Sequence, residues 1–148
     1  MKTLTFDITI HAPVSKVYHT MLSRDTYRQW TAVFDPSSDY EGGWNKGEKI
    51  YFFGSSENGE RSGMVAEIEE NIPDSFVSIR HMGCFTAGQE ITSGPEVAEW
   101  AGALENYFFT ETDGNTQLRV ELDSVEQYAD HFNETWPRAL QKLKELSE

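Results

Sequence analysis

The chain has 148 residues, 25 acidic against 12 basic side chains for a formal net charge of −13, and 13% aromatic content. That length suits one domain, residues 1–148, with a sizeable core, and the aromatic load argues against disorder. The charge serves solubility and repels a phosphate backbone or an anionic membrane, so nucleic acid is a poor partner.

A lone cysteine, Cys84, rules out an intrachain disulfide and fits a reducing, cytoplasmic setting. The opening MKTLTFDITIHAP lacks the apolar stretch of a signal peptide or membrane span, so no membrane insertion is expected.

Leu4, Phe6, Ile8 and Ile10 alternate with Thr3, Thr5, Asp7 and Thr9, which predicts a half-buried strand with the even positions inward. Pro13 and Ser15 suit a helix start, and Val14, Val17, Tyr18, Met21 and Leu22 follow at helical spacing. A second short helix is expected over Asp25 to Trp30. The Asp, Pro, Ser and Gly residues from Asp35 to Gly47 mark turns. Tyr51 to Phe53 reads as a strand ending at Gly54, with Asn58-Gly59 as a hairpin turn.

Met64, Ala66 and Ile68 form the inward set of the next strand, and Val77, Ile79 and His81 that of the one after it. Met82 to Trp100 reads as a long connection, of the kind that covers a site or moves. Strand pattern returns from Trp100 to Thr112, Asp113-Gly114-Asn115 closes a hairpin, and Leu118, Val120 and Leu122 alternate beyond it. Tyr128, Phe132, Trp136, Leu140, Leu143 and Leu146 then make one helical stripe. The order predicts an α+β fold: an open antiparallel sheet whose apolar face is covered by the last helix.

Pro137 sits inside that helix, where it removes a donor and frees the carbonyl of Asn133. Three readings stand: a bend that follows a curved sheet, a bend that opens a cavity beside Trp136, or a helix restarted with Asn133 or Thr135 as N-cap.

Chemical motifs are sparse. His11, His19, His81 and His131 have no zinc spacing, and the H-x-x-C of His81 and Cys84 has no second pair, so no metal is expected. Nothing calls for a nucleotide or another cofactor. If Tyr107 and Phe109 point inward, so does Glu105, and His81 shares a parity with Val77 and Ile79. An imidazole and a carboxylate facing one apolar space orient a polar group or run acid–base chemistry. The alternative places Glu105 near a mouth or pairs it with Arg80 or Arg119, and leaves His81 as a satisfied strand-end residue. No residue is assigned a catalytic role; His81 and Glu105 are the candidates.

IHAPVSKVYHTML followed by Trp30, the turn GGWNKGEKI, the hairpin ETDGNTQLRVEL and the ending WPRALQKLKELSE together carry a resemblance over essentially the whole chain. They resemble the SRPBCC or START-like superfamily, the helix-grip fold. Within it the chain is most similar to homologues of the activator of the ninety-kilodalton heat-shock protein ATPase. The resemblance implies a curved antiparallel sheet wrapping a long C-terminal helix, with two small helices closing one end. It also implies a cavity between sheet and helix, where many members hold apolar molecules.

Trp30, Trp44, Phe52, Tyr107, Phe132 and Trp136 then either line that cavity or fill the core. With Met64, Ile68, Ile79, His81 and Glu105 they form the candidate ligand-binding set. Three functions follow: a binding protein for a small hydrophobic ligand, a cyclase or hydrolase using the same cavity, or a protein-interaction module contacting a chaperone through its acidic surface and residues Cys84 to Glu99. A homodimer stays open, because sheet edges invite pairing and Tyr51 to Phe53 suits such an edge.

Overall fold

The computed structural model of the chain describes residues 1–55, 61–86 and 88–148. The turn read at Asn58-Gly59 lies outside them. β1 (Lys2–Ile10) buries Leu4, Phe6 and Ile10 and partly buries Ile8, as its alternation requires. Pro13 caps α1 (Val14–Leu22), whose backbone has no use for the missing donor there. α2 (Arg24–Trp30) follows and runs into a 3-10 turn, Thr31–Val33.

The rest is β2 (Asp39–Gly42), β3 (Lys49–Ser55), β4 (Arg61–Ile72), β5 (Phe76–Thr86), β6 (Gln89–Ile91), β7 (Leu104–Thr112), β8 (Asn115–Ser124) and α3 (Glu126–Ser147). The eight strands form one curved open sheet in the order β1-β8-β7-β5-β4-β3-β2, with β6 beside β5 and every pairing antiparallel. The fold is α+β, with two short helices after the first strand and a long terminal helix.

α3 packs against β1, α1 and α2 through Ala129, Trp136, Ala139, Leu140 and Leu143. Burying a Leu of this kind stabilises the fold by about 1.5–3 kcal/mol. Tyr128, read as part of the stripe, is instead exposed. Its place toward the core is taken by Ala129. Among the described residues no helix is long and apolar enough to cross a membrane.

The structure departs from the sequence reading in several places. β2 lies where only turns were expected. β5 does not stop near His81 but continues through Met82 to Thr86 and pairs with β6. The cause is a bulge: Ala66 pairs with His81 but Val65 pairs with Gly83, so Met82 is the extra residue and the period-two pattern breaks there. β7 begins at Leu104, and Trp100 belongs to the turn before it. β3 is no edge, since β2 and β4 flank it; β1 and β2 end the strand order, and β6 pairs only with β5. Val65, which alternation places on the side opposite Met64, Ala66 and Ile68, is fully buried. Its cross-strand partner is Tyr51, whose ring meets Phe85 at 5.3 Å in a small cluster on the outer face.

α3 runs unbroken through Pro137, so the restarted helix is overturned. The Thr135 hydroxyl does not cap a new helix; it donates back to the carbonyl of His131. Asn133 and Pro137 are both on the exposed side, so water can satisfy the carbonyl that the proline leaves free.

Candidate functional site

The apolar faces of the sheet and of α3 do not close on each other everywhere. Between them is a pocket of about 570 Å³. One wall comes from α2 and the residues after it, through Tyr27, Trp30, Thr31 and Phe34. The sheet contributes Phe52 from β3, Met64 from β4, His81 from β5, Glu105 and Tyr107 from β7, and Leu122 from β8. α3 adds Tyr128, His131, Phe132 and Trp136.

Trp136 joins these walls. Its indole lies 6.1 Å from the Phe6 ring, 5.8 Å from Trp30, 5.2 Å from Phe34 and 6.4 Å from Tyr107. Such offset and edge contacts suit aromatic quadrupoles. The Trp30 indole N–H donates to the carbonyl of Met21 at 3.0 Å, which fixes the ring to α1.

α2 is itself held by an ion pair. Arg24 and Arg28 converge on Asp39 of β2, at 3.1 and 2.9 Å. Burial raises the Asp39 pKa, but hydrogen bonds from Arg24, Arg28 and the Tyr40 N–H outweigh it and hold the carboxyl well below the usual range. The pair ties Tyr27 and Trp30 to the sheet.

The polar part of the pocket is a short chain. β5 and β7 set Ile79 opposite Glu105, and His81 is the next inward residue along β5. His81 Nε2 lies 3.1 Å from Glu105 Oε1, and the Tyr107 hydroxyl donates to Glu105 Oε2. The alternative partners are taken elsewhere: Arg80 sits on Glu67 and Glu69, and Arg119 on Asp7. His81 is not a strand end either. Its N–H donates to the Ala103 carbonyl at 2.9 Å and its carbonyl accepts from Gly102 at 2.7 Å, where β5 leaves β7. His81 Nδ1 is buried and has no hydrogen-bond partner among the described residues.

Burial, and after it the charge of Glu105, pushes the phenols of Tyr107 and Tyr27 above their ordinary range. Both stay protonated, and Tyr107 donates to Glu105. An imidazole, a carboxylate and a phenol in contact can orient a polar group or relay a proton.

Of the residues read as facing a ligand, Trp30, Phe52, Met64, His81, Glu105, Tyr107, Phe132 and Trp136 line the pocket. Ile68 and Ile79 do not; they pair directly across β4 and β5 and are fully buried in the core. Trp44 is also outside it, half-buried against Tyr40 and Phe52 at 5.3 and 5.8 Å. Sequence reasoning missed Tyr27, Phe34 and His131. Tyr27 carried a usable signal, since it is one helical turn before Trp30 and its ring meets that indole at 5.5 Å. His81 and Cys84 differ by an odd step, yet Cys84 pairs with the inward Met64 because Met82 is bulged out.

A curved antiparallel sheet around a long terminal helix, with a recess between them, defines the helix-grip class. The chain belongs to the family described as activator of Hsp90 ATPase homolog 1-like protein, whose model matches residues 11–148, within the SRPBCC superfamily. Solved structures share the fold. An Aha1 dimer from Colwellia psychrerythraea matches with a TM-score of 0.73 at 20% identity, covering 100% of this chain and 97% of that one. Protein MLL2253 from Mesorhizobium loti gives 0.72 at 15% identity, covering 98% and 96%. CalU16 from Micromonospora echinospora gives 0.66 at 16% identity, covering 99% and 76%. No curated protein matches the chain.

Proposed function

We propose that the chain binds a small hydrophobic or amphipathic molecule between the sheet and α3. The observation that carries this is the pocket itself: about 570 Å³, with a mainly apolar wall rich in aromatic rings and a smaller polar part. Sites for small molecules run to about 300–1,000 Å³ and have this composition. Trp30, Phe52, Met64, Tyr107, Phe132 and Trp136 contact the apolar body, while His81 and Glu105 meet a polar end. The test is thermal unfolding against a broad panel of lipophiles. A ligand at 100 times its Kd adds about 2.7 kcal/mol, which raises Tm by about 5–10 °C for a chain of this size. No shift across the panel sinks the reading.

The contact of His81, Glu105 and Tyr107 favours a second reading, a cyclase- or hydrolase-type enzyme in the same pocket. There Glu105→Gln abolishes turnover of the substrate while the protein still folds; unchanged turnover removes the assignment. The family description favours a third, a module that contacts a chaperone ATPase, and a low-salt pull-down that recovers no chaperone discards it. A homodimer belongs with any of these. It is supported by the Colwellia relative and by the open edges at β1 and β2, and light scattering at several concentrations decides it. A cytoplasmic setting and one domain over 1–148 complete the proposal, supported by the lone thiol and the chain length.

A further inference from the structure

The charges around the pocket have one sign. Among the described residues that line it, the carboxylates are Asp35, Glu105 and Asp123, and there is no lysine or arginine. The nearby guanidinium groups are already engaged. Arg24 and Arg28 hold Asp39, while Arg61 lies over the Phe53 ring at 4.5 Å and pairs with Glu41 at 3.6 Å.

Glu105 has a side chain only 15% exposed. Each of its oxygens has a hydrogen-bond partner, Oε1 the His81 Nε2 at 3.1 Å and Oε2 the Tyr107 hydroxyl, which donates to it. The hydrogen bonds also describe His81. Its Nε2 lies on the carboxylate, and its buried Nδ1 has no hydrogen-bond partner among the described residues. Among the described residues no lysine or arginine pairs with Glu105, so its carboxylate has no permanent countercharge. The raised phenols of Tyr27 and Tyr107 respond to the same charge after burial.

This environment discriminates between headgroups. A carboxylate or phosphate entering here exchanges water for a low-dielectric space that holds another anion and no permanent countercharge, which is strongly unfavourable. A neutral hydroxyl is tolerated. A cation gains from Glu105 and, where it meets a ring face, from Tyr27, Trp30, Phe52 and Trp136, which line the pocket and whose quadrupoles attract positive charge. We propose that the ligand is an organic cation, a protonated amine or quaternary ammonium on an apolar body, with its charge received by Glu105 and the surrounding rings. This rests on the reading of the pocket as a ligand site.

The test is calorimetric titration with probes of one chain length, kept below their micellar concentrations: dodecyltrimethylammonium, dodecanol and dodecanoate. They are applied to the wild type, to Glu105→Gln and to Glu134→Gln. The last makes the same change in net charge on the exposed side of α3, away from the pocket. The ammonium is expected to bind one per chain, at least about tenfold more tightly than dodecanol, with dodecanoate weakest. Glu105→Gln loses that preference and still binds dodecanol; Glu134→Gln keeps it. Should Glu105→Gln fail to fold, the order of the probes on the wild type decides alone. Dodecanoate binding as tightly as the ammonium overturns the cation, and so does equal loss in both variants, which marks mere surface attraction. Equal binding of all the probes removes the cation and leaves the ligand site standing; no binding by any of them removes both.

Discussion

Asp39 shows how one side chain sets the geometry of a distant site. Its carboxylate holds two guanidinium groups of α2, the helix that presents Tyr27 and Trp30 to the pocket. Asp39→Asn should cost about 1 kcal/mol at neutral pH in urea denaturation, a modest figure because both arginines are about half exposed and solvent screens the pair. The sign with pH is fixed. A carboxyl whose folded pKa is depressed stabilises the fold above its unfolded pKa, about 4, and loses that contribution as pH falls toward the folded value. The gap between wild type and variant should therefore shrink below about pH 4; a constant gap removes the ion pair as its cause. Glu105 was legible at this scale, because a strand that buries Tyr107 and Phe109 must turn Glu105 to the same face. Its contact with His81 was not, because cross-strand register follows from the whole sheet and not from either strand.

At the scale of elements, Pro137 is carried by a helix that its neighbours hold in place. With Trp136, Ala139, Leu140 and Leu143 buried around it and Asn133 exposed, the lost hydrogen bond is paid on the solvent side. Pro137→Ala restores that bond and should raise stability by about 1 kcal/mol, net of the stiffness proline gives the unfolded chain. Tryptophan emission should stay unchanged if the proline is only structural; a spectral shift with altered probe binding would tie it to the pocket.

Gly83 is a second such point. A Cβ there would fall 2.0 Å from the carbonyl oxygen of Ile91, so β6 approaches as it does only because the position is glycine. Gly83→Ala should destabilise by about 1–3 kcal/mol, read from the denaturation midpoint. Sequence reasoning found β1, β4, β7, β8 and α3 from their long periods, and α1, α2 and β3 from shorter patterns bounded by turn or cap residues. β2 escaped because it has four residues between turn formers. The far half of β5 escaped because the bulge at Met82 shifts its inward parity, which no unbroken period can represent.

For the whole molecule, the terminal helix covers only part of the face that the sheet presents, and the remainder is the pocket. The aromatic excess in the sequence left open whether those rings line a space or fill it. The structure assigns them both ways: Phe6 and Phe109 sit in the packed core, while Phe52, Tyr107 and Trp136 border the pocket. That division depends on how far α2 and α3 stand from the sheet, a distance that sequence periodicity does not carry. The acidity of the chain and the absence of cations among the described pocket residues bear on what enters.

The central claim is that this volume holds a ligand, and native mass spectrometry of gently purified protein, compared with its denatured mass, tests it most directly. The account predicts an added small-molecule mass that leaves on denaturation, or one bound probe per chain when dodecyltrimethylammonium is supplied to stripped protein. A bare mass under both conditions, with no thermal shift across the lipophile panel, would contradict it.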